Sequence, residues 1–168
     1  MRYRHGRRLF PGNGLVTETV IHLLLARFAL AAFPFRRITW LISRQSRRPE
    51  LSGRERRLAR LTVNRAIFYV WKHFPMKTTC FHRALAAHLM LRRRGVSTAL
   101  HYGAATLPDR GLTVHVWLQD GLEFVVGRCA AKHYHALTCY PAGDLPWSDG
   151  IAALDLSRST SVSNQHGI

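Results

Sequence analysis

Cys80 and His115 are the residues whose types and settings could do covalent chemistry. Cys80 stands in Thr78-Thr79-Cys80-Phe81-His82-Arg83-Ala84-Leu85. Thr79 is a natural helix cap, because its hydroxyl can accept from an unpaired N–H of the first turn. Cys80 is then the first helical residue. A thiol there feels the positive end of the helix dipole, which favours the nucleophilic thiolate. His115 lies in Val114-His115-Val116-Trp117-Leu118, an alternating run that reads as a strand. Asp120-Gly121 is a two-residue turn signal. Pairing Gln119 with Leu122 across it sets Trp117 opposite Phe124 and His115 opposite Val126. His115, Trp117, Phe124 and Val126 then share one face of a hairpin. A histidine between bulky neighbours has few rotamers, which suits a base that must meet a sulfur. Trp117 and Phe124 are candidate walls of a substrate groove. Each residue also has a plainer reading: a buried cysteine is commonly an inert small hydrophobe, and a strand histidine or an aromatic stripe is commonly core.

The motifs Cys80-Phe81-His82-Arg83-Ala84-Leu85, Leu91-Arg92-Arg93-Arg94-Gly95-Val96 and His115-Val116-Trp117-Leu118 resemble the B-type leader peptidase of lasso-peptide biosynthesis, a microcin-processing, transglutaminase-like cysteine peptidase. The likeness covers about residues 15 to 140. It implies an α+β, papain/transglutaminase-like fold, with N-terminal helices and a cysteine-bearing helix packed on a small antiparallel sheet. It implies Cys80 as nucleophile and His115 as general base in removal of a leader from a ribosomally made precursor peptide. Fused members carry a leader-recognition domain ahead of the peptidase. Here the peptidase-like region starts near residue 15, so the expectation is a stand-alone form with a separate leader-recognition protein. The other implied partner is an ATP-dependent cyclase resembling asparagine synthetase. No cofactor is expected of this chain, and no Gly-rich phosphate loop is present in it. The Cys80 N–H and one further donor would hold the oxyanion.

The resemblance places an acid about a dozen positions after the histidine, to orient its ring. That place is Gly127-Arg128 here. Among the nine acids, Glu18, Glu50 and Glu55 belong to the helical half, Asp109 to the turn before the histidine strand, and Asp144, Asp149 and Asp155 to the C-terminal region. In the expected register Asp120 sits at the hairpin tip and Glu123 opposes Leu118, facing away. A backbone carbonyl or an amide side chain is the remaining kind of orienter, or an acid reaching in from the tail. The missing acid also leaves a non-catalytic relative open.

The elements that must position the pair are legible from periodicity. Residues 15–35 are apolar (Val20, Ile21, Leu23, Leu24, Leu25, Phe28, Leu30, Phe33), but Glu18, His22 and Arg27 interrupt them and Pro34 ends them. This reads as a core helix with one face available to a partner, and a weak membrane-surface preference is compatible with it. Residues 43–49 read as a basic linker. Ser52-Gly53-Arg54-Glu55 fits a capping box ahead of a long helix with a stripe of Leu58, Leu61, Ala66, Ile67, Tyr69, Val70, Trp71 and Phe74, which Pro75 ends. The cysteine helix is expected over residues 80–94, buried through Phe81, Ala84, Leu85, His88, Leu89 and Leu91, with Gly95 as its C-terminal cap. His88 and His101 read as packing residues. A strand is expected over residues 96–104 and a turn over 107–111.

At 168 residues the chain suits one domain, with a basic arm at 1–14, the peptidase domain at 15–145 and a loose tail at 146–168. Lys and Arg number 25 against 9 acids, a formal charge of +16 that attracts acidic peptides, polyanions or anionic membranes. A basic adaptor or nucleic-acid-binding protein is the reading from another class. The sequence has no DNA-reading motif and no basic strand interleaved with aromatics, so no nucleic-acid partner is expected. Transglutaminase-type acyl transfer uses the same dyad and differs in the accepting nucleophile. Three widely spaced cysteines argue against a disulfide framework and for a reducing cytoplasm. Cys129, His133, His135 and Cys139 are zinc-ligand types, but they lack a Cys-x-x-Cys hook, and on a helix their two pairs point apart. The expectation there is a helix against the hairpin and no metal.

Overall fold

The computed structural model describes residues 12–43, 49–51, 53–108, 111–131 and 133–141. The arm up to residue 11, most of the basic linker, Ser52 of the capping box, residues 142–145 at the end of the expected domain and the tail at 146–168 lie outside them. The chain runs α1 (Asn13–Ala32), α2 (Phe35–Ser43), α3 (Gly53–His73), α4 (Cys80–Arg92), β1 (Ala99–Leu107), β2 (Gly111–Asp120), β3 (Glu123–Val126), α5 (Arg128–Ala131) and β4 (His135–Tyr140). The strands form one antiparallel sheet in the order β3-β2-β1-β4. This is the α+β arrangement expected, with the cysteine helix against the sheet.

The core sits where α4 is enclosed by α1, α3 and one face of the sheet. Residues 84–88, Met90 and Leu91 are all buried, so α4 is covered nearly all round rather than along a stripe. Leu100, Val116 and Leu118 reach it from the sheet. α1 buries only Thr19, His22, Leu23 and Ala26, which fall at helical spacing on one side. Ile21, Leu24, Leu25 and Phe28 face outward. By length and composition α1 is also apolar enough to cross a membrane. Glu18 ties it to the end of α4 through Arg94, at 2.6 and 2.8 Å; the Arg94 hydrogen bond outweighs burial and holds the Glu18 carboxyl below its ordinary value. The stripe of α3 is narrower than expected: Val63, Ala66, Ile67 and Val70 are buried, while Leu58, Leu61, Trp71 and Phe74 are exposed.

α4 stops two residues before the expected end. Gly95 adopts φ +73°, and the Val96 N–H donates to Leu91 O at 3.0 Å. That is the left-handed cap a glycine allows without steric cost.

The hairpin register differs from the sequence reading. Asp120 pairs with Glu123, Gln119 with Phe124 and Leu118 with Val126, with a bulge between. The turn is therefore Gly121-Leu122, with Gly121 at φ +57°. Trp117 does not oppose Phe124, His115 does not oppose Val126, and Glu123 does not oppose Leu118. Two forces moved the register. Asp120 is drawn inside by arginines of α3, and the bulge turns both Val125 and Val126 toward the core. Arg56 holds Asp120 in a fork, its Nε at 2.9 and 3.0 Å from the two carboxylate oxygens, and Arg60 adds a contact at 3.1 Å. Asn64 donates to Val125 O. α3 is thus fastened to the β2–β3 hairpin by polar contacts.

The segment expected to be a helix around His133 and His135 is instead the one-turn α5 followed by β4, which pairs with β1 at the far edge of the sheet. Among the described residues no three His, Cys, Asp or Glu side chains converge as a metal site would require.

Candidate active site

Thr79 caps α4 as its sequence implies. The His82 N–H donates to Thr79 Oγ1 at 3.4 Å, and the Thr79 N–H donates to His82 Nδ1 at 3.1 Å. The reciprocal bond makes a capping box in which a histidine takes the place usual for Glu or Gln. His82 Nδ1 also lies 2.7 Å from the Thr79 hydroxyl. This role of His82 was not read from the sequence, since the motif is defined on carboxylate and amide side chains. The cap sets Cys80 at the first helical position, half-buried and with a free thiol.

β3 pairs with β2 only as far as Leu118, so β2 has an open edge from Trp117 backwards. Cys80 meets the strand there. Burial is the strongest single influence on the thiol and pushes it up. The hydrogen bond with His115, the Val116 N–H, the charge of His115 and the Phe81 N–H act the other way, and together they bring Cys80 below its ordinary value. The net effect is a sulfur that ionises more readily than an ordinary cysteine, hydrogen-bonded to His115.

The other side of His115 is held by Gly127. His115 Nε2 lies 3.2 Å from Gly127 O. A carbonyl only accepts, so Nε2 carries the hydrogen and Nδ1 keeps the lone pair that takes the thiol proton. Gly127 occupies the place where an acid is expected, and it performs the orienting role with its backbone. Gly127 has φ +90°, and a Cβ there would stand 2.7 Å from Trp117 Cβ and 3.1 Å from His115 Nε2. No side chain fits. The same carbonyl accepts from the Ala131 N–H at 3.2 Å, so α5 keeps it aimed.

Trp117 lies behind the histidine. It is buried, stacked on His101 with ring centroids 5.5 Å apart and on His115 at 6.1 Å, while Tyr134 closes on His115 from 5.2 Å. Its indole presses on Gly103, where a Cβ would meet the ring at 2.8 Å. Phe124, in contrast, lines a cleft of about 900 Å³ between α3 and β3 that reaches His115 and Arg83. Trp71 and Phe68 of α3 form its other wall. His88 is buried beside Thr98, 2.9 Å away, and takes no part in the site.

Two buried hydroxyls near the cysteine, Thr78 Oγ1 and Tyr102 Oη, have no hydrogen-bond partner among the described residues. Burial, then Tyr140 and Cys80, push the Tyr102 phenol above its ordinary value, so it stays a protonated donor.

A nucleophilic sulfur on a capped helix, a strand histidine beside it and a fixed acceptor behind the ring form a constellation suited to acyl transfer through a thioester. Comparison with known proteins gives one result of the same kind: a family model described as the transglutaminase-like superfamily matches residues 23–139. Searches of curated proteins and of solved structures returned no significant match. The matched span runs from α1 into β4 and contains Cys80, His115 and Gly127. By a match over most of its length, and by a helix-on-sheet core that joins cysteine to histidine, this chain belongs to the transglutaminase-like superfamily of cysteine peptidases and acyl transferases.

Proposed function

We propose that the protein is a cysteine peptidase that removes the leader from a ribosomally made lasso-peptide precursor. The observation that carries the chemistry is the Cys80 thiol, held below its ordinary value by His115 and the Val116 N–H. The substrate class rests on the resemblance of the motifs around Cys80, Arg92-Arg93-Arg94-Gly95 and His115 to leader peptidases. The Cys80 thiolate attacks the carbonyl of the last leader residue and forms a carbon–sulfur bond. His115, carrying the thiol proton, gives it to the core peptide's nitrogen as the carbon–nitrogen bond breaks. Water then attacks the thioester, loses a proton to His115 and releases the leader as a carboxylate, with the thiolate restored. The Cys80 N–H and a neighbouring hydroxyl donor would stabilise the oxyanion. A separate leader-recognition protein presents the precursor, and an ATP-dependent cyclase resembling asparagine synthetase consumes the freed amine. The reaction takes place in a reducing cytoplasm, where the free thiols of Cys80 and Cys139 persist.

The test is mass spectrometry of the precursor encoded beside this protein, incubated with its leader-binding partner and with native, Cys80→Ala or His115→Ala protein. Leader release by the native chain alone is the expected result. Equal release with all three, or none with any, would sink the proposal. Adding a primary amine separates the two acyl chemistries: a leader ending in an amide adduct instead of a free carboxylate would identify an acyl transferase.

A further inference from the structure

The cleft that His115 lines has a charge that the reaction itself does not explain. Arg57 and Arg60 line it from α3, Arg83 from α4, and Arg128 from the segment after β3; Glu123 is the only acid among the described residues that line it. Arg60 is committed to Asp120. Arg57, Arg83 and Arg128 have no carboxylate partner among the described residues. Arg83 is the most telling of these. It sits one helical turn after Cys80, half-buried. Burial pulls its guanidinium down from the ordinary value, and Cys80 is the one charge that opposes this. Its guanidinium lies over the Trp71 ring at 4.6 Å, and its Nε donates to Thr79 O at 3.4 Å. A half-buried arginine needs an anion or an aromatic face to offset lost hydration. Here it has the aromatic face, and the residue lines the cleft.

The cleft is also apolar. Phe68 and Trp71 pack edge to face with centroids 5.5 Å apart and are both exposed, and Phe124 faces them from β3. Single-strand nucleic-acid grooves also combine arginines with aromatic faces, so what favours a peptide is the presence of His115 in the lining. A cleft with aromatic walls, arginines in its lining and the candidate base His115 at its edge suits a peptide substrate.

We infer that this cleft is a substrate subsite for an acidic, aromatic-containing peptide segment, with a substrate carboxylate on Arg83 and an apolar side chain between Trp71 and Phe124. The inference rests on the reading of Cys80 and His115 as a peptidase site and adds what the peptide must look like close to the scissile bond. Carboxylate on guanidinium is a bidentate, charge-assisted contact, so it also fixes the segment's register relative to His115.

The experiment is a display selection with a randomised peptide library against the full-length Cys80→Ala chain, followed by fluorescence-anisotropy titration of the selected peptides. The expected result is enrichment of Asp or Glu next to Phe, Tyr, Trp or Leu. Arg83→Gln should weaken those peptides by about tenfold. The double variant Arg36→Gln, Arg37→Gln, which removes more charge from α2 outside the cleft, should change affinity by less than about threefold. Arg83→Glu should turn the selection toward Lys or Arg, which a folding defect could not do. Enrichment without acids, or the same acidic set with Arg83→Glu, would overturn the inference. So would single-stranded oligothymidine that binds as tightly as the peptides and depends equally on Arg83, since the cleft would then be a polyanion groove. Because binding is read on an alanine variant, failure of the native chain to cleave would count against the peptidase reading and not against this one.

Discussion

His115 donates from Nε2 to the Gly127 carbonyl at 3.2 Å, and Gly127 is the one residue type that its position tolerates. A positive φ of +90° costs any residue with a Cβ about 1–2 kcal/mol. The Cβ would in addition stand 2.7 Å from Trp117 Cβ and crowd the very nitrogen that is held. Gly127→Ala should therefore lower stability by about 2 kcal/mol and displace the imidazole. A displacement of about 1 Å typically costs on the order of a hundredfold in rate. Steady-state kinetics with the cleaved peptide should show the loss mainly in kcat. Gly127→Asp, which puts an acid where the motif resemblance places one, should be no better than Gly127→Ala. Recovery by the aspartate would show that a carboxylate can be seated there after all.

The thiol can be followed without substrate. An ordinary cysteine titrates near pH 8.5, as a rough reference. Burial raises Cys80, but the contacts from His115, Val116 and Phe81 outweigh it. Thiolate is therefore present down to a lower pH and is lost as pH falls through that lowered value. Alkylation by iodoacetamide, measured against pH by mass spectrometry of the Cys80 peptide, should reach half its plateau at a lower pH than the same cysteine in the unfolded chain. His115→Ala should move the midpoint up, because burial is then opposed only by backbone N–H groups. An unchanged midpoint would mean that the histidine does not activate the sulfur.

Asp120 fastens the hairpin to α3 from inside, with 4 % of its surface exposed and two arginines on its oxygens. Breaking a fully buried pair costs about 3–5 kcal/mol. The arginine side chains retain 20–29 % exposure, so Asp120→Asn should cost less, about 2 kcal/mol. Glu123→Gln, two residues beyond Gly121 and exposed, should stay within about 0.5 kcal/mol. Urea denaturation of the two variants compares them directly. Equal midpoints would show that the ion pairs contribute nothing net.

His88 and His101 predict an acid-sensitive fold. Burial, with Arg92 adding, pulls His88 down to about 4, and burial pulls His101 down to about 4. Both are neutral in the folded chain near neutral pH and titrate near 6.5 when unfolded. The unfolded chain thus binds more protons in between, and stability rises with pH. Their contribution is full above about pH 6.5 and is lost progressively as pH falls toward 4. At about pH 5.5 the loss should be roughly 1 kcal/mol per histidine. Thermal melts across this range should show Tm falling with pH, and His88→Gln should flatten the slope. A melt independent of pH between 6.5 and 4.5 would contradict the burial argument.

Much of this site is legible from local chemistry. Thr79 before Cys80 specifies a helix start, because a hydroxyl in extended backbone satisfies an N–H of the first turn whatever surrounds it. Gly95 ends the same helix because only a residue without a Cβ turns left-handed there without strain. The alternation around His115 specifies a strand because side chains on a pleat point to opposite faces. These are nearest-neighbour preferences, and the chain states them in order. The meeting of Cys80 with His115 is of another kind: it depended on motif resemblance until the helix was seen against the open edge of β2.

What only the tertiary structure decided follows from contacts distant in sequence. Asp120-Gly121 is a sound turn signal locally, yet arginines of α3 draw Asp120 into the sheet and move the turn to Gly121-Leu122. The search for an acid to orient His115 failed because the orienter is a backbone carbonyl, which every residue has and no sequence pattern marks. The zinc-ligand residue types at 129–139 read as a helix, but their segment is claimed largely by pairing with β1, a partner invisible to periodicity. Likewise α1 and α3 have apolar residues on most sides, and which stripe is buried was settled by where α4 lies. Residue type and spacing determined the local elements and nominated the cysteine and the histidine. Packing between elements far apart in the chain determined the register, the acceptor behind the imidazole and the basic cleft that leads to it.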